Sequence, residues 1–241
     1  IKMDKLIEEI IYHKIQDNLI AKPISEKEQK ALVNFRESFI HKINSVNLNL
    51  GLIKGLKKQS DNFIEEQFHK KGKFLLGNDN IREKFSLIHD LSFRHTSLME
   101  SIIYHLMSSI DNLVLVLKIY YKGLDGVSTI NGAKKSFNHE HRKELEISKF
   151  ITKNWEDWIE ALYNFRGNIY HYHSKICVGG IKESAHRERL EDPLISKEEF
   201  IINIPEEMRK ALNYQEGKES EIEEFCISII SKAFTFFNEI L

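Results

Sequence analysis

Cysteine, proline and glycine are all scarce in this chain. Two cysteines, Cys177 and Cys226, stand alone among 241 residues and match neither a disulfide framework nor a paired metal or redox motif. They read as buried thiols that pack like small hydrophobes. Three prolines and eleven glycines leave few points at which a helix has to stop. Excess charge is missing too. With 35 Lys and Arg against 36 Asp and Glu the formal net charge is -1, so strong non-specific attraction to nucleic acid is not expected and any phosphate-binding site must be local. No long apolar run occurs: "LVLVL" at 113–117 ends at Lys118, far below the roughly 20 residues of a membrane-spanning helix. The opening "IKMDKLIEEI" carries Asp4, Glu8 and Glu9 where a signal peptide would have its apolar centre. The expectation is a cytoplasmic protein without a membrane partner. Glycine-rich phosphate and dinucleotide loops are absent, as is the elbow of a serine hydrolase.

What is present is helical periodicity. Apolar residues recur at i, i+3 and i+4 over most of the chain, which predicts a mostly α protein: a multi-helix up-and-down bundle. A first helix spans about Met3 to Ala21 and is closed by Pro23. Ser25 then offers an N-cap and Glu28 its capping-box partner for a long second helix with the stripe Leu32, Phe35, Phe39 and Ile43. The stripe can continue past Gly51 and Gly55, with a kink or interruption expected near Gly51, because glycine inside a helix costs about 1 kcal/mol relative to alanine. A third helix, from about Asn80, carries Ile88, Leu91, Leu98, Ile102, Leu106, Leu113 and Leu117 and stops at "YKGLDG". It is apolar on nearly every side in its last half and so should be central. Residues 127–145 read as a loop with at most a short helix, with a turn signal at Asn131 and Gly132. A fourth helix, about Ile147 to His173, packs Ile151, Trp155, Trp158, Ile159, Leu162 and Ile169. The β-like runs "KICVGGI" and "EEFIINIP" can form a small hairpin inserted before the last helix, about Glu219 to Leu241.

Chemistry concentrates at the end of the fourth helix. "FRGNIYHYH" sets Arg166, His171 and His173 close together, with Asn168, Tyr170 and Tyr172 between them. An arginine followed at this spacing by a histidine, on a helix of a small α-helical domain, resembles the motif of the HEPN superfamily (higher eukaryotes and prokaryotes nucleotide-binding). The likeness extends to the long helix with "SSIDNLVLVLKIYY" (108–121), a variable connection, the motif helix and a closing helix. It covers residues 80–241, leaving 1–79 as a helical extension packed on the bundle. Where the family often has a polar residue directly after the arginine, this chain has Gly167 and carries Asn168 one place later.

The resemblance implies a metal-independent endoribonuclease acting as a homodimer with facing motifs, or a relative that binds nucleotides or RNA without catalysis. No cofactor is implied. Defence and toxin–antitoxin systems, with an antitoxin or other regulatory protein as partner, are settings that fit such an enzyme.

The residue chemistry agrees with these roles. A histidine near its ordinary pKa can give or take a proton at neutral pH. Arginine stays charged and fits two phosphate oxygens with its planar fork. Five residues on a helix advance about 500°, leaving Arg166 and His171 roughly 140° apart. They converge only if the arginine sweeps round, if the helix frays, or if a second subunit supplies its own copy. His173 lies about 200° beyond His171, which suits substrate binding rather than the same step. Tyr170 and Tyr172 can stack on bases or pack in a core or interface; Asn168 is a polar site component or an ordinary exposed or capping residue.

Asp111 interrupts an apolar run and is costly to bury alone. It either pairs with Arg166 or a histidine and orients it, as acidic residues in the corresponding HEPN helix are thought to do, or lies on an exposed stripe or caps a kink. The basic clusters "KGLKKQ" (54–59) and "HKKGK" (69–73) can follow an RNA backbone or be solvated faces. "HEH" (139–141) and "HYH" (171–173) lack the three- or four-residue spacing of metal ligands on one helix face, so no metal site is expected.

Overall fold

A computed structural model describes residues 25–68, 78–139, 142–143, 145–171, 178–186, 195–204 and 222–241. The helix expected at Met3–Ala21, the cluster at 69–73, Glu140, His141, Tyr172, His173 and Cys177 lie outside the described residues. The protein is mostly α. Its scaffold is a long helical hairpin of α1 (Glu26–Phe68) and α2 (Asn78–Tyr120), each of 43 residues and so about 64 Å long. Ser25 and Glu28 close the capping box at the start of α1: the Ser25 N–H and hydroxyl both donate to Glu28 Oε2 (2.6 and 2.7 Å), and the Glu28 N–H donates to Ser25 Oγ at 3.3 Å.

Of the kink or interruption expected near Gly51, no interruption occurs; α1 runs through it and through Gly55. Leu50 and Ile53 beside it are buried. Burying such side chains contributes about 1.5–3 kcal/mol each, which outweighs the roughly 1 kcal/mol cost of a helical glycine.

The two helices are antiparallel, as the cross-pairs Asn112 Nδ2 to Ser38 Oγ and Asn49 Nδ2 to Ser101 Oγ (both 2.9 Å) require. Leu32, Phe35, Phe39 and Ile43 from α1 meet Ile102, Leu106, Leu113 and Leu117 from α2, all buried in one core. α1 thus shares one core with α2. The stretch His89–Tyr120 is long and apolar enough by composition to cross a bilayer, yet 56% of its most apolar window is buried inside the protein. Its apolar surface serves as the centre of the bundle.

The connection after α2 is shaped by Gly123 and Gly126, both at positive φ (80° and 76°). A side chain at Gly123 would collide with the Arg142 guanidinium, which donates to the Gly123 carbonyl at 3.1 Å. Then comes a short helix, α3 (Ile130–Phe137), with Thr129 as N-cap accepting from the Gly132 N–H at 3.1 Å. Asn131 and Gly132, a turn signal in sequence, are therefore in the first turn of a helix. The motif-bearing rod consists of α4 (Glu146–Asn154), a π-helical turn (Trp155–Ile159) and α5 (Glu160–His171). Trp155 and Trp158 are both buried at this turn, and Trp158 Nε1 donates to Asn154 Oδ1 at 3.0 Å.

Strands β1 (Val178–His186) and β2 (Ile195–Asn203) pair antiparallel, with Val178 opposite Asn203 and His186 opposite Ile195. The closing helix α6 (Ile222–Ile240) buries Phe225, Ile229, Phe234 and Phe237. Phe237 meets Phe39 edge-on at 4.8 Å, and Phe236 stacks on Phe150 at 5.4 Å. Lys54 bridges Glu223 at 3.7 Å, so α6 is antiparallel to α1.

Candidate functional site

The buried carboxylate of α2 determines the geometry. Asp111 sits between Ile110 and Asn112, with Leu113 beyond, and its side chain is only 15% exposed. An ionised carboxylate so placed needs donors for both oxygens. It has them. Oδ2 accepts from Arg166 Nη1 at 3.2 Å, and Oδ1 accepts from the backbone N–H of Ile130 at 3.0 Å. Ile130 is the first residue of α3, whose leading N–H groups have no partner within the helix. One acidic residue on the central helix thus ties the motif arginine on α5 to the N-terminus of α3. Of the two readings the sequence allowed for Asp111, pairing with Arg166 is the one observed.

Arg166 is held from a second side. Its Cζ lies 5.1 Å from the centre of the Tyr163 ring, one turn earlier on α5. Tyr163 packs on Trp155 at 5.3 Å, and the Trp155 ring carries Lys134 Nζ at 4.9 Å. Two cations therefore bracket two rings. The π turn decides which way Arg166 points, since one extra residue rotates everything after it by about 100°. Phe165 is buried and Gly167 is exposed, with nothing among the described residues within 4 Å of where a Cβ would stand. The arginine between them is 21% exposed. It has five N–H donors, of which Asp111 engages Nη1. The arrangement is a partly sheltered guanidinium held by a carboxylate and an aromatic ring.

Asn168, Tyr170 and His171 continue the backbone of α5 to its last residue. Their side chains, and all of His173, lie outside what is described. Asp111 and Arg166 are thus brought together, and Asn168, Tyr170 and His171 lie on the same helix as Arg166.

Sequence reasoning missed Tyr163, although it stands three residues before Arg166 and so on the same helix face. It also missed Lys42 on α1, whose Nζ donates to the Ser108 carbonyl at 3.3 Å. Burial lowers the Lys42 pKa, and the charge of Asp111 acts in the opposite direction. Nothing near Lys42 in sequence marks it as a neighbour of Asp111. Among the described residues, no three His, Cys, Asp or Glu side chains gather as a metal-binding set.

Comparison with protein-family models, curated proteins and solved structures finds no match to this chain.

Proposed function

We propose that this protein is a HEPN-type, metal-independent endoribonuclease, acting in the cytoplasm as a homodimer and restrained by a regulatory partner such as an antitoxin. Arg166 is the phosphate clamp, His171 the proton-transfer group and Asp111 the positioning residue, with Asn168, Tyr170 and His173 lining the RNA. One observation carries the reading: the motif arginine is paired at 3.2 Å with an otherwise costly acid of the central helix. A surface charge would not call for such support.

In the reaction the 2′-oxygen of the substrate attacks the adjacent phosphorus as it gives up its proton to a base. The P–O5′ bond breaks, and the departing oxygen takes a proton from an acid. Products are a 2′,3′-cyclic phosphate and a free 5′-hydroxyl. No water or electron enters the balance. Arg166 supports the charge that develops on the phosphorane oxygens. His171 moves one of the two protons, and its counterpart in the second subunit is suited to the other.

The test is a labelled RNA incubated in EDTA. Wild type should cleave it, and His171→Ala should lose about 10²–10⁴-fold in rate, the usual contribution of an acid–base group. Arg166→Ala should lose comparably, and Arg166→Lys should recover only part because the fork is gone. Circular dichroism and sizing must find each variant folded and dimeric. Cleavage abolished by EDTA and restored by zinc or magnesium would refute the mechanism.

A second reading, a non-catalytic helical module that binds nucleotides, RNA or a protein, is favoured by another observation. Both oxygens of Asp111 are used in joining α2 to α5 and α3, which is also what a purely structural bridge would do. Equal inertness of wild type and His171→Ala towards many RNAs, with retained binding, would select it.

A further inference from the structure

The outer face of the α1–α2 hairpin holds an open groove of about 460 Å³, lined by Gly51, Leu52, Gly55 and Leu56 of α1 and by Phe93 and Leu98 of α2. Leu52 is 49% exposed and Phe93 56%. The apolar surface continues on both helices, since Leu48, one turn before Leu52, is 65% exposed and Tyr104, three turns after Phe93, is 44% exposed. Charge is missing from it. The exposed α1 positions Asn44, Leu48, Gly51, Gly55, Gln59 and Asn62, which recur at helical spacing, carry none, although a water-facing helix stripe ordinarily does. Lys58 only borders this stripe. The one charged residue of the groove lining, Arg94, is paired with Asp90 at 2.9 Å. Gly51 and Gly55 are both exposed, and nothing among the described residues lies within 4 Å of where their Cβ atoms would stand. Glycine weakens a helix relative to alanine, and no contact within the monomer calls for either one. What they permit is the close approach of another backbone.

We propose that this groove docks a second copy of the chain, face to face about a two-fold axis, with Leu52 and Phe93 of each copy entering the groove of the other. An isologous contact needs a surface that fits itself. This face supplies both the projecting side chains and the hollow, and because a cavity of about 150 Å³ holds a benzene ring, the groove has room for a phenyl and an isobutyl group together. Two copies meet here without like charges at the centre, whereas an acidic or basic partner would find no opposite charge. From Asn44 to Asn62 the face is about 27 Å long and, with two helices side by side, about 20 Å wide. That is roughly 500 Å² per copy, near the lower limit for a specific interface, so pairing should be reversible and concentration-dependent. The helix expected at Met3–Ala21 is a poorer occupant: folded back along α1 from Ser25 it spans about 28 Å, and Gly51 lies about 37 Å from Glu26. The groove is about 20 Å along α2 from Asp111, which makes the inference independent of the ribonuclease reading. Joined to a dimer across the motif helices, it would give a dimer of dimers.

Sedimentation velocity of the full chain over a concentration series tests the pairing. Wild type should gain mass with concentration, and Leu52→Glu, which sets a carboxylate in each groove, should raise the dissociation constant by on the order of tenfold or more. Gly55→Leu should also weaken pairing, because it fills the hollow. In dilute solution Gly55→Leu should nevertheless melt about 2–4 °C higher than wild type, since a helical glycine has been replaced. Weaker pairing by a more stable monomer is a combination that a folding defect cannot produce, and it keeps the test open should Leu52→Glu not fold. Variants that keep the wild-type mass at every concentration would overturn the proposal. Unchanged mass with a lower melting midpoint in Gly55→Leu would overturn it too, and would show that the groove is filled from within the chain.

Discussion

The α1–α2 hairpin is built in two ways along its length. Where Leu32 to Ile53 face Met99 to Leu117, the fully buried side chains are aliphatic and aromatic apart from Ser109, and α5 and α6 roof them. Further along, where Ser60 faces the stretch Leu91 to Leu98, the fully buried residues include Ser60, Ser92, His95 and Thr96. Ser60 and His95 are satisfied within their own helices, Ser60 Oγ donating to Leu56 O at 2.8 Å and the His95 ring bonding Leu91 O, whereas Thr96 Oγ1 has no hydrogen-bond partner among the described residues. The same two helices thus rely mainly on apolar volume in one half and bury more polar side chains in the other. Burial alone therefore does not tell what a residue is worth; the first half should respond to lost volume and the second to proton concentration.

The largest effect should come from opening the apolar half. Phe39 is 1% exposed and touches the Phe35 and Phe237 rings. Phe39→Ala should cost about 3–5 kcal/mol, read from the urea midpoint at unchanged slope. Ser92→Ala in the other half should cost far less, and equal losses would erase the contrast.

Next comes the tie between α2, α3 and α5. Asp111→Ala removes two hydrogen bonds from a carboxylate, one of them to a guanidinium, and should cost on the order of 3 kcal/mol. Thermal melts should fall by roughly 6–12 °C for a chain of this size. Combined with Arg166→Ala, the loss should be smaller than the sum of the single losses, since the partners are in contact. Strict additivity would mean that the pair is not coupled.

The smallest effect is set by pH. Burial lowers the pKa of His95 below its ordinary 6.5, with the Leu91 carbonyl and Asp61 acting against that shift and Lys57 with it. A group whose folded pKa is depressed binds its proton more readily when unfolded. Its stability is present above the unfolded value and is lost as pH falls from about 6.5 through the folded pKa. The urea midpoint should drop between pH 7 and pH 5, and His95→Gln should flatten that drop. Some should remain, because His105 is shifted in the same direction. A slope unaffected by His95→Gln would remove the second half's sensitivity to protons.

Much of the fold was legible because helical burial repeats at a fixed period. The stripes Leu32, Phe35, Phe39 and Ile43, and Phe225, Ile229, Phe234 and Phe237, are buried where the period required. The capping box was legible because its two members lie three residues apart. Cross-chain geometry was not legible in the same way. Asp111 declared its need for a partner, but the choice of Arg166, 55 residues away, needed the folded bundle.

Sequence by itself determined the helices, their inward faces and the residue types available at the candidate site, since these depend on neighbours within a turn or two. Tertiary structure alone decided that α1 passes Gly51 unbroken, that Arg166 after the π turn meets Asp111, that α3 begins on the same carboxylate, and that Lys42 of α1 bonds the Ser108 carbonyl of α2. Each of these is a balance between a local preference of about 1 kcal/mol and burial or charge pairing that exists only once distant segments have met.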